Sequence, residues 1–173
     1  MKKQYATMED YLEAEYEGPY VATDILIRHN NGKKEGIVLI DRKFQPYGLA
    51  IPGGMAEAIT FEENAVKEAK EETGLDVILD QPTYRPLCIF SGKNDDFRAH
   101  IAAIAYTGQG FGNLKPMEEE DAKSATLYTL DEIVELLPRK DIWAFNRHKK
   151  ILTVYLKEKG IFSKDFEVDT YAR

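Results

Sequence analysis

Gly53 to Leu75 reads GGMAEAITFEENAVKEAKEETGL, a glycine pair followed by a stretch with helical spacing in which Glu68, Glu71 and Glu72 share one face. Thr60 and Glu63 form a capping-box signature at its start, and Gly74 supplies the stop. Ala65, Val66 and Ala69 are the small apolar residues on which such a helix packs, leaving the glutamates toward a cleft. Side chains three and four apart are neighbours, so Glu68 meets both Glu71 and Glu72, and like charges at that spacing weaken an isolated helix. A cation placed among them removes the penalty. Hard cations such as Mg²⁺ take carboxylate oxygens and share their coordination sphere with water and substrate phosphates. The competing reading of the same residues is a solvated acidic face, the ordinary meaning of a charge run.

Working outward, Thr7 to Glu17 reads as a short helix, stopped by Gly18 and Pro19. Val21 to Arg28 alternates as a strand with Val21, Thr23, Ile25 and Ile27 on one side, and HNNGKK turns the chain into a second strand at Gly36 to Asp41. A further short strand, GLAI, precedes the Pro52–Gly54 turn. Beyond the helix, Tyr84 to Phe90, Ala99 to Thr107 and Ala125 to Thr129 read as strands. Thr129 and Glu132 announce a helix through Leu137, and Asp141 is placed to cap a longer one reaching Lys159. Strands interleaved with a few helices imply an α/β layered domain. No repeat, low-complexity tract or Pro/Gly-rich linker divides the chain.

The ending KEAKEETGL resembles the second half of the Nudix box, G-x5-E-x7-R-E-U-x-E-E-x-G-U with U aliphatic. Glu68, Glu71, Glu72, Gly74 and Leu75 match it, with Lys67 in the arginine position. Counting back from Lys67, the family's first acid falls on Ile59, and the segment after the second glycine is one residue short. Glu57 fits the acid often found just after the glycines. In the family the early acid and the arginine support the helix. Lysine keeps the charge but not the planar fork, so a compensated site implies an Ile59 turned into apolar packing.

The resemblance implies a mixed β-sheet between helices, an α/β/α sandwich covering 20–159, with 1–19 a helical extension and 160–173 a tail. It further implies metal-assisted hydrolysis of a nucleoside diphosphate derivative. Glu68, Glu71, Glu72 and the Gly53 carbonyl would hold Mg²⁺ or Mn²⁺, and the same three glutamates would be catalytic. A further carboxylate is expected from the run Glu118 to Glu120, with Glu119 placed first. A solvated loop is the other reading of that run. PYGLAIPGG and DDFRAH look most like ADP-ribose-type members, although Pro82 and Pro86 come too early for the proline that marks many of them. Arg98 is a candidate phosphate clamp, and Tyr47 and Phe97 are candidates for stacking on a base; each is also readable as packing or surface.

The 173 residues suit one domain. A single cysteine, Cys88, excludes an internal disulfide framework and, set in LCIF, reads as a core thiol. A net charge of −7 argues against a general nucleic-acid binder. MKKQYATMED has no apolar signal-peptide core and no apolar run is long enough to span a bilayer, so the expected setting is the cytoplasm without a membrane partner. The two ends are additions of the kind through which family members pair as homodimers. Two other functions stand beside the enzyme. One is a noncatalytic nucleotide-binding module or ligand sensor, motivated by Ile59, Lys67 and the short loop, although the segment after Lys159 is too short for a regulator's DNA-binding domain. The other is an unrelated acidic metal-binding domain.

Overall fold

The computed structural model describes residues 6–8, 18–83, 85–92, 96, 98–118 and 121–161. The expected N-terminal helix beyond residue 8, the C-terminal tail after 161, Phe97 and Glu119 lie outside the described residues.

The first strand, β1 (Tyr20–Asn30), organises everything else. Its side chains alternate, with Ile25 and Ile27 on one face of the sheet and Leu26 on the other, and all three are fully buried. Such a strand needs cover on both sides. Along its length β1 runs parallel to β7 (Ile101–Phe111), from Tyr20 opposite Ile101 to Arg28 opposite Gln109. Its other edge is divided. The far half pairs antiparallel with β2 (Glu35–Arg42), while the near half pairs with β4 (Gly53–Met55), Asp24 lying opposite Gly53.

β7 is divided in the same way, between β6 (Cys88–Gly92) and β5 (Asp76–Leu79). β3 (Leu49–Ala50) and β8 (Ala122–Tyr128) complete the mixed sheet on β2. Because β1 changes neighbours midway, the sheet forks beside Asp24, and a cleft opens there.

Helix α1 (Phe61–Thr73) lies on one face, its Ala65 and Ala69 packed against Ile25, Ile27, Val77 and Tyr106. Alanines keep the helix close to the sheet, as the sequence reading expected of Ala65, Val66 and Ala69. The Thr60 and Glu63 capping box is present, and Gly74 closes the helix at φ 79°. A cap of this kind contributes about 1 kcal/mol. On the opposite face, α2 (Leu130–Leu136) and α3 (Asn146–Glu158) cover Leu26, Ile37, Leu39 and Ala105. The result is the expected α/β/α sandwich.

Three local expectations need correction. Strands β4 and β5 were not legible as strands, being 3 and 4 residues long. The strand expected from Tyr84 starts at Cys88, since Arg85 turns back to donate to the Pro82 carbonyl at 3.0 Å. Asp141 does not cap the helix: Trp143 bridges to β3, where Leu49 donates to the Ile142 carbonyl at 2.7 Å and Ala144 to the Leu49 carbonyl at 3.0 Å. Helix α3 therefore begins only at Asn146, with no side-chain cap.

Candidate active site

The turn from β3 through Pro52 to β4 brings the glycine pair against α1. A side chain at position 53 would overlap the Thr23 carbonyl on β1, and one at 54 would overlap the Glu68 carboxylate. Position 53 must be bare for β4 to lie against β1, and position 54 must be bare for the Glu68 carboxylate to rest beside the turn. The Gly53 amide donates to Glu72 Oε2 at 2.8 Å. Glu72 is 2% exposed, and that burial, helped by the nearby Glu68 charge and only partly opposed by the Gly53 amide, lifts its pKa to about 8. Such a carboxylate is an anion short of a counter-charge.

Glu71 turns differently. Its Oε2 lies 3.3 Å from Lys67 Nζ, and the same ammonium donates to Glu57 Oε1 at 2.7 Å. Glu57 is thus the acid that meets the basic residue of the helix, two positions before the expected one. Ile59 is 43% exposed, so it does not point into apolar packing as a compensated site was expected to require. The physical reason is the short loop: it carries Glu57 to Lys67 and leaves Ile59 on its outer side. The loop is tied down further by Asn64, fully buried, whose amide donates to Thr23 Oγ1 at 2.8 Å and accepts from the Glu57 amide at 3.1 Å. Exposed ion pairs contribute under about 1 kcal/mol to stability, so Lys67 acts by orientation. Lys67→Ala is expected to weaken Mn²⁺ binding by about 10- to 100-fold, and Lys67→Arg to restore it. Titration calorimetry giving equal affinities for all three proteins would remove that role.

Among the described residues no three His, Cys, Asp or Glu side chains already converge at ligand distances. The chemistry of the donors nevertheless suits a hard divalent cation: two carboxylates, one of them nearly buried and pushed upward mainly by that burial, stand against a glycine turn. The structure brings Glu68, Glu72 and Gly53 together and directs Glu71 toward Lys67.

Beyond the glycines lies the cleft at the fork of the sheet, about 100 Å³ in volume. Asp24 of β1 and Arg147 and His148 of α3 line it and are nearly buried; Arg42 and Asp121 stand at its side, and Arg98 at its edge. Arg147 Nε lies 3.6 Å from Asp24 Oδ2, and its Nη1 3.3 Å from Asp96 Oδ2. His148 Nδ1 accepts from the Ile51 amide at 3.0 Å, which leaves the proton on Nε2, 3.4 Å from Asp24 Oδ1. Burial holds the His148 pKa below its ordinary value, in keeping with a neutral ring. Burial favours a protonated Asp24, yet the neighbouring His148 ring and the Arg147 guanidinium outweigh it and keep the carboxyl below its usual range.

Arg98 does reach the cleft, but its fork is engaged: Nε and Nη2 donate to the two oxygens of Asp96 at 2.9 and 2.8 Å. Although burial opposes it, these hydrogen bonds bring Asp96 to about 2. A bidentate phosphate clamp at Arg98 would have to displace Asp96. Tyr47 is 64% exposed on the loop before β3 and does not line the cleft. Cys88 sits against the core, where burial pushes its thiol up to about 12, consistent with the core reading.

The residues flanking Glu119 and Glu120 are anchored. Lys43 donates to the Glu118 carbonyl, its amide to the Asp121 carbonyl at 2.8 Å, and Arg42 Nη2 to Asp121 Oδ2 at 3.1 Å. Asp121 adds to the upward push on Glu72. Asp24, Arg42, Asp121, Phe145, Arg147 and His148 were not singled out from sequence. One signal was available: Asp24 is a charge in the middle of VATDILI, in register with the buried Leu26.

A family model described as NUDIX domain matches residues 18–152. An ADP-ribose pyrophosphatase of Methanocaldococcus jannaschii is 34% identical over 149 residues, covering 84% of this chain and 78% of that protein. Among solved structures, the NUDIX domain of Shewanella oneidensis NrtR complexed with ADP ribose superposes with a TM-score of 0.65 at 13% identity, over 88% of this chain and 99% of that one. A bifunctional NMN adenylyltransferase/ADP ribose pyrophosphatase of Francisella tularensis, complexed with AMP and a Mn ion, gives 0.65 at 22% identity, over 86% of this chain and 44% of that one. At these identities the two structures show a shared fold.

Proposed function

We propose that this chain, which belongs to the NUDIX domain family, hydrolyses the pyrophosphate of ADP-ribose or of a closely related nucleoside diphosphate sugar. The observation that carries the reading is the Glu68 and Glu72 pair set against the Gly53–Gly54 turn. The 34% identical relative is named for ADP-ribose, which supports that substrate over a nucleoside triphosphate.

Glu68, Glu72 and the Gly53 carbonyl are the groups that would hold a divalent cation, Mg²⁺ or Mn²⁺, with Glu71 as a further carboxylate on the same helix. When bound, such a cation neutralises phosphate charge and lowers the pKa of coordinated water. The chain's own part is placement. The bare glycines let β1 and the Glu68 carboxylate close on the turn. The Glu57–Lys67–Glu71 chain of contacts holds α1 in register with that turn. Arg42 and Arg98 add positive charge on the cleft side of the glycines. Glu119, on the run between Glu118 and Asp121, is assigned as the further carboxylate for the attacking water. A cytoplasmic setting fits the single cysteine, and no helix of the described residues is long and apolar enough to cross a membrane.

The test is hydrolysis of ADP-ribose, a dinucleotide and an NTP by the purified protein with Mg²⁺ or Mn²⁺, with products resolved by chromatography. The expected products from ADP-ribose are AMP and ribose 5-phosphate, formed only when a divalent cation is present. Turnover that persists in a chelator, or confinement to the NTP, would contradict the assignment.

A further inference from the structure

Ile51 stands where the chain leaves one strand pairing for another. β3 pairs with β2 and β4 with β1, so the Ile51 amide, between the two, belongs to neither ladder. The residue is 1% exposed, and a buried amide without an acceptor is costly. Its acceptor is a side chain far along the sequence: His148 Nδ1 takes the hydrogen bond at 3.0 Å. Alternate amides of an extended chain point to the same side, and on that side the Leu49 amide donates to the Ile142 carbonyl at 2.7 Å. The His148 ring thus adds a rung to the contact between β3 and the segment entering α3.

The next two residues are held as well. Ile25 donates to the Pro52 carbonyl at 2.8 Å, and the Gly53 amide donates to Glu72 Oε2 at 2.8 Å. α3 grips the chain at Ile51, β1 at Pro52 and α1 at Gly53, one residue after another. Proline has no amide to anchor, so release at Ile51 frees the chain just before the turn. The ring is itself fixed. Its Nε2 lies 3.4 Å from Asp24 Oδ1, and a carboxylate disfavours a lone pair facing it, which keeps the proton on Nε2 and the lone pair on Nδ1. Phe145 lies tilted against the ring, the two centres 5.0 Å apart. Packing alone asks for neither the acceptor nor the carboxylate behind it.

We propose that His148 is a positioning residue for the candidate cation site: by accepting from the Ile51 amide it fixes the turn that presents the Gly53 carbonyl, with Asp24 holding it in the accepting tautomer. The inference rests on the reading of Gly53, Glu68 and Glu72 as the cation site, and adds to it a residue from the opposite face of the sheet.

The experiment compares the wild type with His148→Leu and His148→Asn. Leucine fills the space without an acceptor, whereas asparagine is smaller but can set its Oδ1 where Nδ1 stands. Mn²⁺ affinity, read by titration calorimetry, is expected to fall about tenfold in His148→Leu, as for groups that orient a metal ligand, and to recover most of that loss in His148→Asn. Deuterium exchange of the Ile51 amide is expected to quicken by about tenfold or more in the leucine variant only. A space-filling histidine predicts the reverse order, with leucine the better replacement. Equal affinities in all three proteins, or that reverse order, overturn the role. None of these readouts needs turnover, so a protein that binds Mn²⁺ but leaves ADP-ribose intact loses the proposed function without touching this inference. A wild type that binds no Mn²⁺ removes the cation site and this role together. Should His148→Leu fail to fold, the nitrogen NMR spectrum of the wild type decides: Nδ1 is expected to be unprotonated and coupled across the hydrogen bond to the Ile51 amide, with both signals shifting on addition of Mg²⁺. A proton on Nδ1, or signals that Mg²⁺ leaves in place, overturns the inference.

Discussion

Glu72→Gln is expected to lower turnover by about three orders of magnitude, some 4 kcal/mol of barrier, while making the metal-free protein more stable above neutral pH. Glutamine retains an oxygen for the Gly53 amide but removes the anion that a cation needs. The stability effect follows from linkage. Burial lifts the Glu72 pKa from 4.5 to about 8 in the folded chain, so between those values the folded state binds a proton that the unfolded state has released. Stability of the metal-free wild type therefore falls as pH rises through this window, by on the order of 5 kcal/mol in all. Added Mn²⁺ is expected to reverse the loss, because a cation favours the ionised carboxylate. Thermal melts between pH 5 and about 9 should slope downward for wild type and run flatter for the variant. Parallel slopes would show that Glu72 is not the group that titrates, and retained turnover would remove it from the site.

Gly54→Ala carries the second large effect and separates activity from folding. Its added methyl meets the far end of the Glu68 side chain rather than backbone, so the carboxylate can swing aside at little cost to the fold. Swinging aside takes Glu68 out of the cation site. Turnover is expected to fall by about a hundredfold or more, comparable to the loss of a positioned polar group, with the melting temperature nearly unchanged. Gly53→Ala is the control. There the methyl overlaps the Thr23 carbonyl and nears the Asp24 Cα, so β4 must leave β1, and stability and activity should fall together. Full activity in Gly54→Ala would mean that Glu68 works from a position other than the one it occupies beside this glycine.

The Glu57–Lys67 contact bears on the choice between an enzyme and a noncatalytic module. The motive for the second reading was an early acid replaced by Ile59 and an arginine replaced by lysine. The acid is present at Glu57, and it meets the lysine at 2.7 Å. Counting back from Lys67 by the motif spacing placed the acid at Ile59, because that spacing runs through a loop that is one residue short here. Loop geometry, unlike helix geometry, does not carry a fixed rise per residue.

Local rules account for what was legible from the chain alone. Capping boxes at Thr60 and Thr129, the left-handed stop at Gly74, the alternation of β1 and the shared face of Glu68, Glu71 and Glu72 all depend on spacings within one element. The 76–79 and 53–55 strands escaped because so few residues hold no period, and they exist as strands only through their pairing with β7 and β1. The cleft escaped for a stronger reason. Asp24, Asp96 and Arg147 come from three distant segments, and nothing in the neighbourhood of any one of them announces the other two. The amino-acid sequence by itself determined the α/β layering and the glutamate face, since helix and strand periods are written residue by residue. Only the tertiary structure decided that β1 changes partners beside Asp24, that Glu71 turns to Lys67, and that α3 brings Arg147 and His148 over the fork, because burial and ion pairing are properties of segments meeting in space.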